Sequence, residues 1–163
     1  MRYAARVGAP GPTPPASTGA ALASALAVDN LQREMRIEHL ALWTDDLERA
    51  RRFYETHCGA RAGAAYHNPR TDFRSYFLSF AGGARLELMQ RPDIAARPEN
   101  GGREALGLAH FALSLGSERA VDETTERFRA AGIAVVAAPR RTGDGYYESV
   151  VLDPDGNRIE LTV

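Results

Sequence analysis

The strongest constraint in this chain is an internal repeat. A histidine stands in an apolar run near the start of each half, His39 in EHLAL and His110 in AHFAL. Near the end of each half stands a Gly-x-Arg-apolar-Glu-Leu hexapeptide, GARLEL at 83–88 and GNRIEL at 156–161. His39 and His110 are 71 positions apart, and Glu87 and Glu160 are 73 apart. Two unrelated motifs held so nearly in register indicate a duplicated module of about 60 residues, which restricts the fold to one built from paired copies of a single unit.

Local signals give the order of elements within each copy. In the first half Ile37–Trp43 reads as a short strand, and Thr44-Asp45-Asp46 supplies N-cap oxygens. Leu47, Ala50, Phe53 and Tyr54 then share a helical face, which Gly59 ends. Strands are predicted at 61–66, 73–80 and 84–90. A Pro-, Asn- and Gly-bearing stretch follows as a linker. The second half repeats the order, with a strand at 108–115, an N-cap at Ser117, a stripe of Ala120, Val121, Thr124 and Phe128 ended by Gly132, and strands at 133–137, 146–152 and 157–163. The predicted fold class is therefore α+β, two paired βαβββ modules. Module one spans 35–90, the linker 91–106 and module two 107–163.

Residues 1–34 differ in character, being rich in Ala, Pro, Gly, Ser and Thr with no acid before Asp29. Such a stretch buries too little apolar surface to offset its ordering entropy, so a disordered tail is expected. Three readings stay open: a flexible tail or upstream start ahead of Met35, a secretory signal ending near Ala25-Leu26-Ala27, and an organelle transit peptide. No run is long enough to cross a bilayer.

Composition removes several functions. The 20 basic residues are all arginine, which excludes Schiff-base chemistry and a GxxxxGK phosphate loop. A net charge of -1 argues against a nucleic-acid partner, which calls for a basic excess. A single cysteine, Cys58, makes no internal disulfide and is expected to pack as a small apolar residue. The expected setting is the cytoplasm.

Strand alternation directs the repeated side chains. Leu40 and Leu42 share one face of the first strand, and His39, Ala41 and Trp43 the other. Leu86 and Leu88 oppose Arg85, Glu87 and Met89. The second copy repeats this with Phe111, Leu113 and Leu115 against His110, then Ile159 and Leu161 against Arg158, Glu160 and Thr162. If the leucine faces meet the helices, each sheet shows one His and one Glu on its other side. Should two such faces meet, two imidazoles and two carboxylates converge and leave two octahedral positions open, suiting Ni, Zn, Co, Mn or Fe. Taken singly, each residue has a plainer reading, a hydrogen-bonded core histidine or a solvent-facing strand glutamate; the duplication favours the metal. His57 is expected to serve the helix dipole, and His67 to be a turn residue.

The body from Met35 to Val163 resembles the vicinal oxygen chelate superfamily, and within it glyoxalase I (lactoylglutathione lyase) and its bacterial relatives. The resemblance rests on IEHLALWTDDLERARRFY, GARLELM, GLAHFALS and VLDPDGNRIEL. It implies paired βαβββ modules forming a cupped sheet around one divalent metal, held by His39, Glu87, His110 and Glu160, and a homodimer acting on a small molecule. The activity implied is proton transfer on an α-hydroxycarbonyl or hemithioacetal through an enediolate, with Glu160 as the catalytic carboxylate. Related proteins with other activities supply two alternatives, a non-catalytic resistance-type binder and an Fe-dependent dioxygenase. Trp43 and Arg91 stand where glyoxalase I proteins carry an arginine and an asparagine that hold glutathione. That departure makes Trp43, Met89, Arg91 and Arg74 the candidate substrate contacts, with a smaller or more apolar substrate on Trp43 and an anionic group on Arg91 or Arg74. In the plainer reading Trp43 merely closes the core.

Overall fold

The computed structural model describes residues 35–95 and 106–163. The expected tail at 1–34 and most of the expected linker lie outside the described residues. The element order is β1 (His39–Trp43), α1 (Leu47–Cys58), β2 (Arg61–Ala62), β3 (Tyr66–Asn68), β4 (Phe73–Ser79), β5 (Arg85–Gln90), β6 (Phe111–Ser114), α2 (Glu118–Ala130), β7 (Val135–Arg141), β8 (Tyr147–Leu152) and β9 (Arg158–Thr162). Both helices are fixed by their ends. Asp46 accepts the Arg49 N–H at 2.9 Å at the start of α1, and Gly59 closes it at φ 69°, where a side chain would be strained. Ser117 caps α2 by accepting the Ala120 N–H at 3.2 Å.

The strands form two sheets, ordered β1-β5-β4-β2 with β3 on β4, and β6-β9-β8-β7. In each sheet the first strand pairs in parallel with the last strand of its own half, β1 with β5 and β6 with β9. A parallel pair needs a crossover, and the helix and intervening strands provide it. β1 and β6 are consequently edge strands, with one row of backbone groups unpaired within their sheets.

Three local readings change. The strand expected at 61–66 is two short strands broken at 63–65, and His67 pairs within β3 opposite Arg74 instead of standing in a turn. The strand expected at 133–137 runs on as β7 to Arg141, through Pro139. Proline is tolerated there because β7 is an edge strand, and the pairing with β8 shifts register between Ala137 and Arg140, across it.

The leucine faces do meet the helices. Leu42, Leu78, Leu86 and Leu88 from the first sheet join Val151, Ile159 and Leu161 from the second, with Phe53, Tyr54, Val121 and Phe128 of the helices, in one buried cluster. Phe53 and Phe128 touch across the halves with ring centroids 6.3 Å apart. His57, in the last turn of α1, lies 5.7 Å from the Phe128 ring. Cys58 packs beside this cluster, and burial pushes its thiol up to about 12.

Polar ties reinforce the joint, and they come from the DPDGN turn of the second half. The Tyr54 hydroxyl, on α1, donates to Asp153 Oδ2 at 2.7 Å. Asp153 Oδ1 accepts the backbone N–H groups of Asp155 and Asn157 at 3.0 and 2.7 Å, so its carboxylate is held by its own turn and by the opposite half. Arg49 adds an ion pair to Asp155 at 2.7 Å. Gly156 makes the turn feasible at φ 77°.

Candidate metal centre

With the leucine faces committed to the shared core, the opposite faces carry the candidate ligands. Register fixes the first set: His39 lies opposite Arg85, Ala41 opposite Glu87, and Trp43 opposite Met89. His39 Nε2 stands 4.0 Å from Glu87 Oε2. In the second half His110 precedes β6 by one residue instead of lying inside it, and Ala112 lies opposite Glu160. There His110 Nε2 stands 3.2 Å from Glu160 Oε2. Both carboxylates are 14% exposed, while the imidazoles are 40% and 45% exposed. Each pair is therefore anchored in the sheet and open at its imidazole.

These separations fit a metal-binding pair. Two neighbouring donors, each about 2.1 Å from an octahedral ion, sit about 3 Å apart, and opposite donors about 4.2 Å. The two pairs span that interval, so either could seat on one ion with small side-chain rotations. The pairs do not meet within one chain: among the described residues no three His, Cys, Asp or Glu side chains are grouped closely enough to hold a metal. The physical reason is the core. The two sheets join through their helix faces, which leaves the His/Glu faces on the outside of the joint.

Two neighbours of these pairs have no signal in the duplicated motif. Glu38 Oε2 lies 2.6 Å from His39 Nδ1, which fixes the ring and turns Nε2 toward Glu87. Glu38 is also paired with Arg85, and these two hydrogen bonds hold its carboxyl below the usual range. On the second sheet the buried Glu148 pairs in register with Thr162, which puts it on the Glu160 face, and Arg140 Nη2 donates to it at 3.0 Å. Burial raises the Glu160 carboxyl above the ordinary range, and the charge and hydrogen bond of Glu148 raise it further. The signal for Glu148 was present in alternation, since it shares a strand face with Val150 and Leu152.

The four candidate substrate contacts divide. Trp43, Met89 and Arg91 gather at one end of the His39/Glu87 face, where Trp43 meets Phe73 edge-on at 6.1 Å. Arg74 lies on the other face of β4. It pairs with Gln90 and precedes Tyr76, which is opposite Leu88. Its guanidinium is held by Asp72 at 3.0 Å, and it borders a 450 Å³ cleft with Asp46, Glu48, His67 and Tyr76 on the helix side. The structure does not bring Arg74 to the His39/Glu87 face.

Two halves on a βαβββ plan, the first with its second strand broken in two, each present a His/Glu pair on the face turned from its helix, and this repeat defines the class of fold. Residues 36–161 match the model of the Glyoxalase/Bleomycin resistance protein/Dioxygenase superfamily, and the chain belongs to that superfamily. An uncharacterised protein of Pseudomonas aeruginosa is 33% identical over 129 residues, 77% of this chain and 86% of that protein. Among solved structures, a glyoxalase family protein from Enterococcus faecalis is 25% identical with a TM-score of 0.65, covering 80% of this chain and 99% of that one. The lactoylglutathione lyase of Agrobacterium tumefaciens is 29% identical with a TM-score of 0.56, covering 77% and 91%. Among the described residues no helix is long and apolar enough to cross a membrane.

Proposed function

We propose that this chain is a divalent-metal-dependent lyase or isomerase of glyoxalase I type, acting as a homodimer on an α-hydroxycarbonyl or hemithioacetal. The observation that carries the reading is the pair of matched half-sites, each with an imidazole and a carboxylate at coordination spacing. A pure binder has no use for two such pairs, and a dioxygenase of this superfamily needs one carboxylate fewer. The likeness to the Agrobacterium lyase supports the same reaction class.

The halves are completed by a second copy. His39 lies on the open edge strand β1 with Glu87 on its neighbour β5, and His110 stands just before the open edge strand β6 with Glu160 on its neighbour β9. Setting the β1 edge of one copy beside the β6 edge of another brings one pair from each into a single four-donor site, twice per dimer.

His39, Glu87, His110 and Glu160 would hold a divalent ion there, and it would supply Lewis acidity that acidifies the substrate C–H beside the carbonyl. The residues do the rest. His39, oriented by Glu38, and Glu87 form the fixed half. Glu160 takes the proton from one carbon and returns it to the next. Its raised affinity for a proton, from burial and from Glu148, suits a group that must hold one between the two steps. Arg140 limits that effect by holding Glu148.

Equilibrium dialysis of the full chain against Ni²⁺ tests the proposal, with one nickel per chain expected. Less than a tenth of an equivalent of nickel, and of the other candidate metals, would contradict it.

A further inference from the structure

The His39/Glu87 face continues into an aromatic platform that proton-transfer chemistry does not require. Met89 and Trp43 follow Glu87 and Ala41 by two residues on the same face, about 7 Å along the strands. Phe73 meets Trp43 at 6.1 Å and Tyr66 at 6.1 Å. Tyr66 lies opposite Ser75, which is opposite Met89, so it shares this face. Trp43 and Tyr66 are 39% and 54% exposed, a large apolar surface to leave in water beside a polar half-site.

The charges around the platform are already committed. Arg91 lies over the Trp43 ring at 5.5 Å, and its Nε donates to Asp93 at 2.5 Å. The guanidinium thus fixes the indole while its own charge is answered by Asp93. Arg74, the other cation expected to bind an anion, faces the opposite side of the sheet with Asp72. With no lysine in the chain and both arginines paired, this end of the face offers aromatic surface and little unpaired positive charge among these residues.

We infer that the site takes an α-hydroxycarbonyl compound bearing an uncharged aromatic or flat apolar group, which stacks on Trp43 and Tyr66 while the vicinal oxygens face His39 and Glu87. This rests on the metal-site reading and names its substrate class. The small span between platform and half-site, and the pairing of Arg91 with Asp93 and of Arg74 with Asp72, favour such a ligand over a peptide thiol conjugate.

Trp43 is the only tryptophan, so its fluorescence reports on the platform directly. The full-length, nickel-loaded protein is titrated with mandelate and with lactate, which share the vicinal oxygens and differ by phenyl for methyl. Mandelate is expected to bind about tenfold more tightly, the value of one aromatic contact of about 1.4 kcal/mol, and to change Trp43 emission. In Trp43→Ala, followed by calorimetry, the preference falls to within about twofold, with nickel stoichiometry unchanged, and Trp43→Phe restores part of it. Equal affinities in the wild type, an undiminished preference in Trp43→Ala, or tighter binding of glutathione than of mandelate would overturn the inference. So would Trp43 emission that responds to protein concentration and not to mandelate, which would place a second copy on the platform. Nickel content of the same samples separates the two levels: bound nickel without mandelate preference removes only the platform's role, whereas no nickel removes the metal reading itself.

Discussion

Glu160→Gln is expected to lower turnover of methylglyoxal, assayed with and without glutathione, by roughly 10²–10⁴-fold, the usual worth of a positioned acid–base group. The amide keeps the shape and one donor oxygen, so nickel binding falls only in part. It cannot take up and return a proton, so the chemical step fails. Glu87→Gln is the informative companion: with its half-site on the other sheet, its loss acts through nickel affinity before it acts on rate. Turnover of Glu160→Gln within about threefold of wild type would remove Glu160 from the proton-transfer role.

Tyr54→Phe is expected to cost about 1.5–3 kcal/mol of stability, the range for a hydrogen bond to a charged acceptor. The hydroxyl joins α1 to the Asp153 turn, and Tyr54 is fully buried. The effect also depends on pH in a defined direction. Burial, and after it the Asp153 charge, hold the Tyr54 phenol well above its ordinary range. Above about pH 10 the unfolded chain therefore releases this proton while the folded chain keeps it. The stability that the phenol contributes is complete below that pH and declines above it. In urea melts the gap between wild type and Tyr54→Phe should be widest near neutrality and narrow at alkaline pH. A gap that grows with rising pH would contradict the placement of this hydroxyl.

The helices were legible because both their ends and their stripes are written locally: Asp46 and Gly59 bound α1, and Ser117 bounds α2. The adjacency of each His/Glu pair was legible because alternation in β1, β5 and β9 sets the leucines and Ile159 on one face and the histidine and glutamates on the other. β4 lacks that clarity. Phe73, Tyr76, Phe77 and Leu78 place aromatic or apolar groups on both of its faces, so residue type alone did not say that Arg74 shares the helix side with Tyr76. Glu38 was hidden for another reason, since its role depends on a contact with the adjacent imidazole and on Arg85 across the sheet. The largest gap concerns which faces meet. Duplication predicted that two His/Glu faces could oppose each other, but the choice between pairing within a chain and between chains rests on long-range packing. Here Phe53, Phe128 and the Tyr54–Asp153 bond join the helix sides of the halves and direct the candidate ligands outward.

A site divided between two copies can be tested by complementation. One variant carries His39→Ala with Glu87→Ala, the other His110→Ala with Glu160→Ala. Neither alone should bind nickel, because every site in each homodimer lacks one pair. Unfolding the two together and refolding the mixture forms mixed dimers, in which one site has both of its pairs intact. The account predicts nickel in the refolded mixture and in neither parent; a mixture as empty as its parents, when wild type treated identically is loaded, would contradict it.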